Sequence, residues 1–220
     1  MQTKIIGFVG LDVQDTILYL SRVFYQMGKK LLMVDYSESQ ALYYSIPVIP
    51  GMDTYRSVIE YRGTYFTCGP VQLDECKEYD VIMIFFGFEA RREMKYCSHL
   101  IYTTDGERNH MEKISNMYGA DAEYRQLVYR NSGKNREVQG ELWETMCPHH
   151  IVKEECRYHC NDRAKDRELR VMCQYNEVFG FRGLSQNFCN YLKKTIRAVF
   201  PEEASGKRFE DCFKRAQMGG

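Results

Sequence analysis

Six cysteine and histidine side chains crowd into the stretch C-P-H-H-I-V-K-E-E-C-R-Y-H-C: Cys147, His149, His150, Cys156, His159 and Cys160. Thiolate and imidazole are the groups tetrahedral zinc prefers, and Cys147, His150, Cys156 and Cys160 are the candidate ligands. Cys156 and Cys160 would share one face if the stretch were helical. Structural zinc sites usually pair two short knuckles across a longer loop, and here the two halves lie too close for that arrangement. Cysteine is also spread along the whole chain, nine in all, including Cys68, Cys76, Cys97, Cys173, Cys189 and Cys212. The expectation is therefore no bound metal and ordinary thiols, with a zinc-binding regulatory module as the weakest alternative. Histidines stand near Cys97 (His99) and Cys160 (His159), but no flanking motif supports a nucleophilic Cys–His pair.

A second constellation gathers around the first forty residues. Gly10 interrupts an apolar run, two carboxylates (Asp12 and Asp15) follow at the start of a helical pattern, and Asp35 closes the next apolar run. The pattern positions these groups. Lys4 to Val9 reads as a strand buried on both faces, and Ile17, Leu20, Phe24 and Met27 mark one side of a helix from Val13 to Met27. Asp12 suits the N-cap, with Asp15 in the first turn. Gly28 ends the helix, and Leu31 to Val34 forms a second strand ending at Asp35. The unit is strand, helix, strand, hence a parallel crossover.

Further strands are expected at Val81–Phe86, His99–Thr103, Arg125–Tyr129 and Leu169–Cys173, with helices at about 108–118 and 184–200. Alternation around Arg62-Gly63 predicts a hairpin across 57–67. The 220 residues suit one α/β domain, residues 1–200, with a doubly wound, mostly parallel sheet; residues 201–220 read as a tail or short amphipathic helix. Thirty basic and thirty acidic residues cancel, which argues against nucleic acid as a partner, although Arg91, Arg92, Arg125 and Arg130 stand near aromatics. The odd cysteine count and the α/β pattern fit reduced thiols in a cytoplasm.

The segment from Lys4 to Ser39, together with Y-D-V-I-M-I at 79–84, resembles the ParA/MinD-type P-loop ATPases of the SIMIBI class. In that family a first strand leads into a K-G-G-x-G-K-[ST] phosphate loop. A helix, a Gly-Lys-Lys/Arg turn and a strand ending in an Asp-x-Asp-type motif follow. Gly28-Lys29-Lys30 and the strand ending in Asp35 match in order and spacing. The resemblance implies a P-loop NTPase-like fold, protein partners, homodimerisation through the nucleotide face, and a bacterial pilus, secretion or division apparatus as the setting.

The departures fall where the chemistry belongs. A phosphate loop uses glycine-freed N–H groups, a lysine and a hydroxyl that holds magnesium. Here Gly10 is the one glycine between strand and helix. Val13 stands where the family has its last lysine, and Gln14 where it has the hydroxyl. Phe85 replaces the magnesium-linked Asp, and Asp12 and Asp15 put carboxylates where phosphate would sit. The vestigial nucleotide site is thus Gly10, Asp12, Val13, Asp15, Asp35 and Phe85. The expectation is a non-catalytic pseudo-ATPase without a cofactor; the alternative is a divergent ATPase binding ATP and Mg by non-standard contacts. At the C-terminus, Phe209, Cys212, Phe213 and Ala216 form an apolar stripe flanked by lysines and arginines. It reads either as a helix docked on its own domain or as a peripheral membrane contact.

Overall fold

The computed structural model describes residues 2–11, 13–46, 57–118, 122–130, 143–146, 152–175 and 180–219. Eight strands form one sheet: β1 (Lys4–Gly10), β2 (Leu31–Asp35), β3 (Ile59–Tyr61), β4 (Thr64–Thr67), β5 (Val81–Gly87), β6 (His99–Thr104), β7 (Tyr124–Arg130) and β8 (Arg157–Cys160). Their order is β3-β4-β2-β5-β1-β6-β7-β8, parallel everywhere except in the β3–β4 hairpin. Arg62 and Gly63 turn that hairpin with φ of 53° and 75°, the pair of positive values a tight hairpin turn demands.

The strands alternate between two apolar layers, as a period of two requires. Ile6, Phe8, Met33, Met83, Phe85 and Val128 enter one layer; Val9, Val34, Ile84, Phe86, Tyr102 and Leu127 enter the other. The first layer is roofed by α1 (Gln14–Gln26), α4 (Ala164–Tyr175), α5 (Gln186–Val199) and α6 (Gly206–Met218). On the second face lies α3 (Arg108–Met117), through Met111, Ile114 and Met117. A short α2 (Ala41–Tyr44) follows β2. Because α1 packs on the sheet and also touches α4, α5 and α6, every residue from Gln14 to Phe24 is buried. The Gly28-Lys29-Lys30 turn is equally fixed: Lys29 Nζ pairs with Glu203 at 2.8 Å, and the Lys30 N–H donates to Asp80 at 2.8 Å.

One expected strand needs correction, and of the two readings of the C-terminal stripe the docked helix holds. Leu169–Cys173 is not a strand but part of α4. Its buried residues Asp166, Leu169 and Cys173 recur at helical spacing, whereas Val171 faces solvent. The strand at that end of the sheet is instead β8, whose polar sequence R-Y-H-C masks its pairing with β7. The C-terminal stripe is not a membrane surface. Phe209, Cys212, Phe213 and Ala216 are all buried, and α6 closes over α1, with the Cys212 thiol donating to the Gln26 carbonyl at 3.1 Å. Among the described residues no helix is long and apolar enough to cross a membrane.

Phe213 stacks edge-on with Phe181 at 5.6 Å inside this layer. Phe213→Ala should therefore lower unfolding free energy by about 3–5 kcal/mol in urea denaturation. A helix that merely touched lipid would lose almost nothing.

Candidate functional site

The carboxyl ends of parallel strands face a crevice where ligands of open α/β sheets bind. Here that crevice is a cleft of about 710 Å³ lined by Gly10, Leu11, Glu38, Ser39, Gly87, Phe88, Asp105, Lys113, Arg130 and Arg170. At its floor, β1 turns directly into α1. Gly10 has φ of 105°, and a Cβ there would lie 2.1 Å from the Thr103 carbonyl oxygen, so the turn accepts only glycine. The Leu11 N–H donates to that same oxygen at 3.0 Å, and Gln14 already opens the helix. The N-cap position is Val13, which makes no side-chain cap. Asp12, expected there, lies outside the described residues.

Asp15 is the first charged group of the helix, and it is 1% exposed. Its Oδ1 accepts from the Thr16 N–H at 2.7 Å, so a carboxylate of the chain itself engages an N-terminal donor of α1. Alternation along β7 puts Arg130 on the same face as Val128, at the strand's last residue, aimed at α1. Nη1 and Nη2 of Arg130 donate to Oδ1 and Oδ2 of Asp15 at 2.7 and 2.9 Å, a forked pair. Nη2 also donates to both carboxylate oxygens of Asp162, at 3.0 and 2.9 Å, just beyond β8. The guanidinium lies 5.0 Å from the centre of the Phe188 ring of α5. Burial pushes the Asp15 carboxyl up, but Arg130, with a smaller contribution from Arg170, overcomes it and holds the group below the usual carboxylate range.

This arrangement changes the reading of two residues. Asp15, expected as a carboxylate at the helix start, does engage an N–H there, and it is also paired with a buried arginine. Arg130, considered as a nucleic-acid contact, is 5% exposed and unavailable for that role. Asp162 escaped sequence reasoning altogether, because nothing in N-D-R marks it as a partner of residues far away in the chain.

The remaining vestigial positions are also committed to the fold. Asp35 is buried at the end of β2, where Oδ1 accepts from Ser37 N–H at 2.9 Å and Ser37 Oγ at 2.6 Å; Oδ2 accepts from Tyr43 N–H at 2.9 Å. It thereby fixes the turn into α2. Burial raises its carboxyl despite those hydrogen bonds. Phe85 points into the apolar layer beneath α1 and is fully buried. Beyond it Gly87, with φ of 58°, brings β5 against Ser37. The other wall carries Asp105, which accepts from His110 Nδ1 and from the Glu107 N–H, each at 2.9 Å. Phe88 stacks on His110 at 5.1 Å, and Lys113 Nζ sits over the Phe88 ring at 5.1 Å.

Of the zinc candidates, Cys147 and His150, like His149, lie outside the described residues. Cys156 ends a single 3-10 turn and Cys160 ends β8, so the two do not share a helical face. Burial pushes the Cys160 thiol up to about 12, and the Cys97 thiol likewise, which keeps both protonated and poor nucleophiles. Among the described residues no three His, Cys, Asp or Glu side chains are grouped to hold a metal ion.

Removing Arg130 would strand two buried carboxylates. Arg130→Ala should cost about 3–5 kcal/mol of stability at neutral pH. Because Asp15 titrates lower in the folded chain, its contribution is present above its unfolded value of about 3.9 and is lost as pH falls through the depressed folded value. Urea denaturation from neutral pH into the acid range should show that loss in the wild type and not in Arg130→Ala.

The sequence matches no protein-family model and no curated protein sequence. The fold has solved counterparts. One is pNOB8 ParA bound to nonspecific DNA, at 12% identity over 91% of this chain and 99% of that one, with a TM-score of 0.60. Another is protein DIP2308 from Corynebacterium diphtheriae, at 10% identity over 90% and 99% of the two chains, with a TM-score of 0.56. A second pNOB8 ParA structure matches at 12% identity over 95% and 99%, with a TM-score of 0.51. With the eight-stranded order and the β1–α1–β2 crossover, these likenesses show a fold of the ParA type.

Proposed function

We propose that this chain is a pseudo-ATPase: a ParA/MinD-like domain that works by binding protein partners, in a positional or scaffolding role, without taking up or hydrolysing nucleotide. The observation that carries this reading is the closed first turn of α1. A phosphate held there needs free helix N–H groups, a cation and a metal ligand. The Asp15 carboxylate already accepts from one such N–H, and the nearest buried cation, Arg130, is shared by two carboxylates. Freeing Arg130 for a phosphate would break a buried pair worth about 3–5 kcal/mol, a large part of the 8.2 kcal/mol of a micromolar complex. Asp35 and Phe85, at the positions a metal would need, are tied into α2 and the core.

Differential scanning calorimetry with millimolar Mg-ATP or Mg-ADP tests the reading. A ligand at one hundred times its Kd adds about 2.7 kcal/mol of stability, several degrees for a domain of this size. No shift is expected. Val13→Lys should not create one, since the three-residue link from Gly10 to Gln14 leaves no loop to wrap a phosphate. An upward shift in the wild type favours the divergent ATPase instead.

A further inference from the structure

We infer that the outward face of α4 is a docking surface for an acidic segment of a partner protein that carries apolar anchors at helical spacing. The inward side of α4 is set by Asp166, Leu169 and Cys173. On the opposite side Arg163, Arg167, Val171 and Tyr175 follow one another every fourth residue, and all are exposed. Val171 is 55% exposed, its neighbour Met172 40% and Tyr175 78%. The second half of this ridge thus shows solvent an apolar surface where a solvated helix carries charge.

The ridge is held in place from behind. Arg62 Nη1, on the hairpin turn, donates at 3.2 Å to the Cys173 carbonyl, one of those a helix leaves open at its end. Arg22 Nη1 of α1 in turn donates to the Arg62 carbonyl at 2.7 Å. The apolar residues are therefore presented by a braced helix rather than by a loose end, which lowers the ordering cost of binding.

Charge selects the occupant. Arg163 just before α4 and Lys165 and Arg167 in its first half are exposed, and exposed Arg182 precedes Gly183, where an added Cβ would lie 3.6 Å from the Lys165 side chain. Among the described residues of α4, Glu168 is the exposed acid, and it is paired with Lys165 at 3.0 Å. In a chain whose charges cancel overall, this is a local basic excess beside an apolar ridge. Electrostatic complementarity calls for an acidic partner, and three apolar side chains within about one turn suit peptide anchors better than immersion in a bilayer. α4 also walls the cleft through Arg170, but Arg163, Arg167, Val171 and Tyr175 do not line it, so the inference is tested apart from nucleotide binding.

Random peptides displayed on phage, selected against the full chain and then measured by fluorescence anisotropy, test it. The selected peptides should combine Asp or Glu with Leu, Phe or Tyr at helical spacing. Val171→Asp with Tyr175→Asp should weaken them at least about tenfold, and Arg167→Glu should weaken them and flatten their salt dependence. Both variants should melt with the wild type, because the altered side chains are exposed. Should the aspartate pair unfold the chain, Val171→Ser with Tyr175→Ser must show the same tenfold loss. The inference is overturned by enrichment of basic peptides, by no enrichment, or by peptides insensitive to both variants. It is equally overturned if these substitutions abolish binding to phosphatidylglycerol vesicles or duplex DNA and leave peptide binding untouched.

Discussion

One guanidinium joins the parts of this molecule that matter most. Arg130 leaves the end of β7, forks onto Asp15 in the first turn of α1, reaches Asp162 beyond β8 and rests on Phe188 of α5. Burying such charges is expensive, and the arrangement survives only because donors and acceptors meet in good geometry. A lysine could not replace the arginine, since a single ammonium cannot present two parallel N–H groups to one carboxylate and more to another. The link between the last two strands of the sheet and the helices α1 and α5 therefore depends on the chemistry of one residue.

The consequences spread across the crevice at the carboxyl ends of the strands. Asp15 supplies the anion that the start of α1 favours. Asp35 spends its acceptors on Ser37 and Tyr43, and Phe85 fills the apolar layer. In each place a group that could face a ligand faces the protein. The cleft persists as space, but its wall charges are drawn into local partnerships such as Asp105 with His110 and Lys113 over Phe88. On the proposed reading, the fold retains the architecture of a nucleotide-binding domain and uses its polar groups to hold itself together.

Much of the architecture was legible from residue patterns. The unbroken apolar runs of β1, β2 and β5 leave little choice but strands buried on both faces; Gly28 marks the turn into β2, and the Arg62-Gly63 pair marks the β3–β4 hairpin. Where surfaces are mixed, the pattern misleads. Leu169, Val171 and Cys173 alternate as a strand would, yet only Leu169 and Cys173 turn inward, on a helix. β8 carries arginine, tyrosine and histidine at the rim of the sheet, so its hydropathy says nothing of its pairing. The candidate site was half visible. Asp15 and Phe85 stood out as departures from a motif and Asp35 as a match to it, but Asp15 and Arg130 are 115 positions apart, and only the folded sheet brings them together. A buried ion pair leaves no periodic trace in a sequence.

The account rests on the first turn of α1 being closed by the chain itself. A crystal structure determined from crystals grown with millimolar Mg-ATP examines that point directly. It should show Arg130 bridging Asp15 and Asp162, the Asp15 carboxylate on the Thr16 N–H, and no phosphate at the helix start. Arg130 swung away from Asp15, with a phosphate against the first-turn N–H groups, would contradict it.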